Sequence, residues 1–149
     1  MEKTLMKKQR DSVNLLIVED DPIQTFILDT MLRDNFTITS VDNGYAALEA
    51  IETQKFDVIL MDINLGNPVM DGITTMRKIK FQRKHKNIKI IAVTASSDAK
   101  EWFIKQGFDG HYLKPLIKKE IEEEINRLTN QFVNILRRED KQVFNSIAG

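Results

Sequence analysis

The chain has 149 residues, enough for one domain with a core of its own. Its 22 basic residues equal its 22 acidic ones, so no global field favours nucleic acid, an anionic membrane or acidic substrates. The absence of cysteine excludes disulfides, thiolate metal sites and a Cys nucleophile, and is compatible with a reducing cytosol.

The chain opens on the basic segment MEKTLMKKQR, but only a short apolar run, broken by Asn14, follows before Glu19-Asp20-Asp21. That is neither a signal peptide nor a membrane span, so residues 1–11 are expected to be a flexible tail on a cytoplasmic protein. Five runs then read as strands: VNLLIV (13–18), FTITSV (36–41), FDVILM (56–61), IKIIAV (88–93) and GHYL (110–113). The first, third and fourth are almost continuously apolar, as strands buried on both faces of a parallel sheet must be.

Between the strands, apolar residues recur at helical spacing: Ile23, Phe26, Ile27, Met31 and Leu32; Tyr45, Leu48 and Ile51; Ile73, Met76 and Ile79; Ala99, Phe103 and Ile104. Asp42-Asn43-Gly44 and Ser96-Ser97-Asp98 offer helix-start chemistry. The fold class implied is α/β: a doubly wound, five-stranded parallel sheet with right-handed crossovers.

In such a sheet, functional residues gather beyond the carboxyl ends of the strands. Those ends carry Glu19-Asp20-Asp21, Asp62, Thr94-Ala95 and Lys114-Pro115. Any one acid at a strand end is unremarkable as a helix cap, but together they bring three carboxylates, a hydroxyl and a lysine to one edge. Crowded carboxylates raise one another's pKa unless a cation sits among them. An oxygen-only ligand set, with no Cys and no suitably placed His, favours a hard ion, most plausibly Mg²⁺.

In order and spacing, VEDDP after the first strand, the Asp of LMDIN after the third, TA after the fourth and KP after the fifth resemble the receiver domain of two-component response regulators, a CheY-like, flavodoxin-like (βα)5 fold. The resemblance covers residues 12–130. It implies that Asp62 accepts a phosphoryl group, that Asp20 binds the metal directly, that Glu19 acts mainly through water, and that Asn64 lends its backbone carbonyl. Thr94 matches the switch hydroxyl, and Lys114 the lysine that contacts the acyl phosphate. A cis bond before Pro115 is implied as well. Asp21 falls one place beyond the acidic pair and reads as the cap of the first helix.

Three departures stand out. INLGNPVM, between Asp62 and Asp71-Gly72, is two residues longer than the usual arrangement. His111 stands where many receivers carry Tyr or Phe, either as a half-exposed strand-edge residue or with a pH-sensitive or rotameric part in switching. The loop after Thr94 is short, and Ser96, like Asn64, sits at a position that in this family influences how fast phosphate is lost.

Trp102 and Phe103 are adjacent and cannot both face the core. Phe103 continues the Ala99 stripe, which leaves Trp102 exposed, for an output partner or for edge packing.

Beyond Pro115, the residues Ile117, Ile121, Ile125, Leu128, Phe132 and Ile135 form one long helical stripe, with KKEIEEE as its solvated face. Residues 131–149 therefore read as a helical extension and tail, with a homodimer as one use for the surplus stripe. The function implied is a receiver in a two-component or phosphorelay pathway, phosphorylated by a histidine kinase or histidine phosphotransfer protein and acting on a downstream protein. Neither nucleic acid nor membrane is expected as a partner. Two other readings are a small aspartyl-phosphate phosphohydrolase, which would need an acid where Asn64 stands, and an interaction domain that is never phosphorylated.

Overall fold

Apolar runs long enough to be covered on both sides settle into a parallel sheet wrapped by helices. The computed structural model describes residues 12–98 and 100–148, the side chains of 130–141 and 144 excepted. The expected tail over 1–11, Ala99, Phe132 and Ile135 thus lie outside what is described.

The elements follow in order as β1 (Asn14–Val18), α1 (Pro22–Leu32), β2 (Thr37–Val41), α2 (Gly44–Thr53), β3 (Val58–Asp62), α3 (Gly72–Phe81), a 3-10 turn (Arg83–His85), β4 (Lys89–Thr94), α4 (Lys100–Gln106), β5 (Gly110–Leu113) and α5 (Lys118–Ile147). The sheet runs β2-β1-β3-β4-β5, all parallel. Each of the five strands matches an expected run to within two residues.

Alternate residues of each strand point to opposite faces, and this divides the core in two. Leu16, Val18, Ile59, Met61, Ile90 and Ala92 pack with Ala47 and Ile51 of α2, Met76 and Ile79 of α3 and Phe103 of α4. Leu15, Ile17, Val58, Leu60, Ile91 and Val93 pack with Leu28 and Leu32 of α1 and Ile121, Ile125 and Leu128 of α5.

Short polar side chains start three helices. Asp21 accepts from the amides of Ile23 and Gln24 at 2.8 and 3.4 Å, Asn43 from Ala46 at 2.8 Å and Asp71 from Thr74 at 2.7 Å.

Several stripes differ from the sequence expectation. In α1 the core takes Leu28 and Leu32, whereas Ile23, Phe26 and Ile27 are exposed. At 3.6 residues per turn, these two groups point about 165° apart, so what reads as one stripe is two faces. Tyr45 and Ile104 also face solvent. Ile117 precedes α5 and is exposed, and Leu116 takes the buried place beside it. Glu124, expected on a solvated face, is buried, where Arg127 donates to both of its oxygens at 2.8 and 2.7 Å.

Candidate functional site

Strands β1, β3 and β4 stop in register: Val18 pairs with Met61 and Asp62 with Val93, while Thr94 pairs with Leu113 of β5. The polar residues that terminate them are therefore delivered to one edge. Glu19 follows β1, Asp62 and Thr94 are the last residues of β3 and β4, and Lys114 follows β5. Glu19, Asp62 and Thr94 are buried and Asp20 is exposed.

Carboxylate oxygens of Glu19, Asp20 and Asp62 lie within 4.8 Å of one another. The Lys114 ammonium donates to Glu19 Oε2 at 2.7 Å and to Asp62 Oδ2 at 3.2 Å. Backbone amides hold the other carboxylate oxygens: Asp21 donates to Glu19 Oε1 at 3.1 Å and Asn64 to Asp62 Oδ1 at 3.1 Å. Thr94 Oγ1 accepts from the Ser96 amide at 3.0 Å, and the Lys114 amide donates to the Thr94 carbonyl at 2.9 Å, tying the lysine loop to the end of β4. The Lys114–Pro115 peptide is cis.

Burial pushes the Glu19 carboxyl above its usual range; the lysine hydrogen bond opposes this and the Asp62 charge adds to it. Burial works to lower Lys114, yet its hydrogen bond to Glu19 and the charges of Asp62 and Glu19 outweigh that and hold it above its ordinary value. Three carboxylates around one ammonium leave the cluster short of positive charge. An all-oxygen set of this kind fits a hard divalent cation, and Glu19, Asp20 and Asp62 are the side chains that could hold it.

Two glycines make the close packing possible. A Cβ on Gly72 would lie 2.1 Å from the Asp62 carbonyl oxygen and 2.8 Å from Ile63 Cα, so the start of α3 sits against the end of β3 only because residue 72 has no side chain. Gly66 turns the long loop with φ of 68° directly beside Asp20, whose Oδ2 would be 3.1 Å from a Cβ there. Leu65 and Met70 are buried and anchor that loop to the core. Asn64 is exposed, and its side-chain oxygen accepts from the Gly66 amide at 3.3 Å.

His111 and Trp102 stand apart from the acidic cluster. Trp102 is 43% exposed and meets Phe103 edge-on at 5.0 Å, while Phe103 stacks on the His111 ring at 4.5 Å and 10°. His111 is paired with Ala92 across β4–β5, which places it on the sheet face shared by Ala92 and Thr94. Its Nε2 is buried without a hydrogen-bond partner among the described residues. Burial lowers the imidazole pKa, the Lys100 charge adds to this, and Asp98 opposes it. The sequence offered no signal for the stacking, since Phe103 and His111 belong to different elements.

A family model of the response regulator receiver domain matches residues 15–126. The chain belongs to that family. The receiver is 32% identical over 121 residues to the sensor histidine kinase GacS of Pseudomonas protegens, covering 77% of this chain and 13% of the kinase. It spans 24% of the transcriptional regulatory protein ZraR of Klebsiella oxytoca, so it corresponds to a fraction of the curated relatives named here. Among solved structures, it is similar to the receiver domain of sensor histidine kinase PA1611 of Pseudomonas aeruginosa, which has a magnesium ion coordinated in the active site cleft. The TM-score is 0.71 at 30% identity, over 80% of this chain and 98% of that one. It is also similar to the receiver domain of Ssk1, crystallised with the histidine phosphotransfer protein Ypd1 of Saccharomyces cerevisiae. There the TM-score is 0.70 at 26% identity, over 79% and 89% of the two chains. As a receiver domain, the chain is a component of two-component or phosphorelay signalling.

Proposed function

We propose that Asp62 is the phosphoryl acceptor of this receiver and that a histidine kinase or histidine phosphotransfer protein is its donor. The observation that carries the reading is the clustering of Glu19, Asp20 and Asp62 within 4.8 Å, with the Lys114 ammonium 3.2 Å from Asp62. A carboxylate oxygen of Asp62 attacks phosphorus as the bond to the donor imidazole nitrogen breaks, and the imidazole, already protonated on its other ring nitrogen, leaves neutral. A carboxylate is a weak nucleophile, so placement and charge neutralisation matter more here than a strong base. Asp20, Asp62 and the Asn64 carbonyl, with Glu19 acting mainly through water, would hold Mg²⁺, which would supply charge neutralisation at the phosphoryl oxygens. Lys114 turns its ammonium from Asp62 to a phosphoryl oxygen, and Thr94, which only accepts from the Ser96 amide, donates its hydroxyl proton to another. Lys114 and Thr94 share a backbone hydrogen bond, so their displacement reaches β5 and the His111–Phe103–Trp102 stack.

The donor must present its histidine over the edge that holds Asp62. Ile23, Phe26 and Ile27 lie on the helix that Asp21 starts immediately after Asp20, and their exposure of 69, 67 and 45% gives an apolar landing surface there. No helix of the described residues is long and apolar enough to cross a membrane, and we assign the reaction to the cytoplasm. Phosphoryl transfer is favoured over hydrolysis as the main activity because Asn64, not an acid, stands two residues after Asp62. A homodimer through the α5 extension remains part of the proposal.

Beryllium trifluoride, which mimics an acyl phosphate, tests the site directly. With Mg²⁺ present, it should shift the amide resonances of Thr94, Lys114 and His111, and Asp20→Ala should suppress the shifts. Equal shifts without metal, or none with it, would contradict the assignment.

A further inference from the structure

Seven of the chain's 22 basic residues fall between positions 77 and 89, with no acid among them. This run covers α3 from its middle through the 3-10 turn to β4, so a chain without net charge concentrates basic residues on these consecutive elements. Lys80 is tied to Asp109 at 2.6 Å, Lys84 to Glu52 and Arg77 to the Gln106 carboxamide. Lys78, Arg83, Lys86 and Lys89 have no ion pair among the described residues.

Beside this run, α2 and α3 leave a groove of about 530 Å³ lined by Leu48, Thr74, Arg77, Lys78, Phe81 and Gln82. Phe81 is 92% exposed at the end of α3. A lone ring in water needs no account, but one that walls an apolar cleft also lined by the Arg77 and Lys78 cations is placed to hold something.

We propose that the α2–α3 groove docks an acidic amphipathic helix of a partner protein. The groove supplies an apolar floor from Leu48 and Phe81, which accepts aliphatic or aromatic knobs at helical spacing. Its charge is polarised: the cations lie on the α3 side, whereas α2 carries the exposed Glu49 and Glu52, the latter held ionised by hydrogen bonds from Lys84 and His85. A helix satisfies this by turning its acids toward Lys78 and Arg83 and keeping them off α2. A nucleic acid, anionic along its whole length, would run beside those carboxylates. The groove shares no residue with the acidic cluster, so the proposal stands apart from the reading of Asp62.

The probe is a fluorescent peptide about four turns long, with leucines along one stripe and glutamates elsewhere. It is compared with a shuffled peptide of the same composition and with a single-stranded oligonucleotide of similar length. Titrated into the full chain, the amphipathic peptide should bind saturably and at least about tenfold more tightly than either control. Phe81→Ser should weaken it about fivefold or more, and Lys78→Glu with Arg83→Glu about tenfold. Amide shifts should centre on Leu48, Thr74 and Phe81. Both variants alter exposed side chains, and an unchanged unfolding midpoint confirms that the fold is intact. No binding, binding equal to the shuffled peptide, binding indifferent to either variant, tighter binding of the oligonucleotide, or shifts away from α2 and α3 would each overturn the proposal.

Discussion

His111 faces Phe103 at 4.5 Å and keeps a buried Nε2 with no hydrogen-bond partner among the described residues, an arrangement that suits the neutral imidazole. Lys100 and Asp98 are the charges acting on it, and burial with Lys100 prevails, so its pKa is lower folded than unfolded. A depressed pKa means the unfolded chain binds the extra proton first. The stability this site contributes is therefore full above the ordinary histidine pKa and is lost as pH falls through the lowered one. His111→Phe, which keeps the stack, should lose less stability over that window, as chemical denaturation midpoints across pH will show. Equal losses in both proteins would mean that His111 does not titrate this way. At this scale the sequence was readable where chemistry coincides with a strand end. Glu19, Asp20, Asp62, Thr94 and Lys114 all sit where an apolar run stops, and the structure puts them on one edge. The 2.7 Å pairing of Lys114 with Glu19 was not readable, because it depends on the path of the loop after β5.

Among the elements, α1 and α5 lie on the same side of the sheet yet differ in what their apolar residues do. Ile125 is fully buried, so Ile125→Ala should cost about 2–5 kcal/mol through the methylenes lost and the cavity left. Ile117→Ala, at a residue 57% exposed, should change stability by no more than about 0.5 kcal/mol. Urea unfolding of the two variants checks the contrast, and comparable losses would contradict the packing of α5. For α1 the effect should appear in transfer instead of stability. Phe26→Ala with Ile23→Ala should slow phosphorylation by a phosphohistidine protein at least about tenfold. The same variant should leave the reaction with acetyl phosphate unchanged, since a small donor needs no landing surface. Slowing of both reactions would show that α1 acts on the site itself. Strands were more legible than helix faces for a physical reason. An unbroken apolar run has one reading in a covered parallel sheet, whereas spacings of three and four also occur within a helix that buries one apolar face and exposes another. Ile23, Phe26 and Ile27 are the instance here.

For the whole molecule, the order β2-β1-β3-β4-β5 puts β1 and β3 side by side, which brings Glu19 after β1 next to Asp62 at the end of β3. Topology therefore converts residues separated by more than forty positions into one site, which alternation of strands and helices anticipates without fixing any distance. Overall charge was less informative than its distribution: equal totals of acid and base conceal an acidic cluster at the strand ends and a basic run over 77–89. The account rests on Asp62 taking up a phosphoryl group. Intact-mass spectrometry of the full chain after incubation with Mg²⁺ and acetyl phosphate measures this most directly, alongside Asp62→Asn and a sample with the metal chelated. The account predicts the mass of one added phosphoryl group on the wild-type chain with Mg²⁺, and none on Asp62→Asn or after chelation. Labelling of Asp62→Asn at the wild-type level, or a wild-type chain that stays unlabelled with Mg²⁺ present, would contradict it.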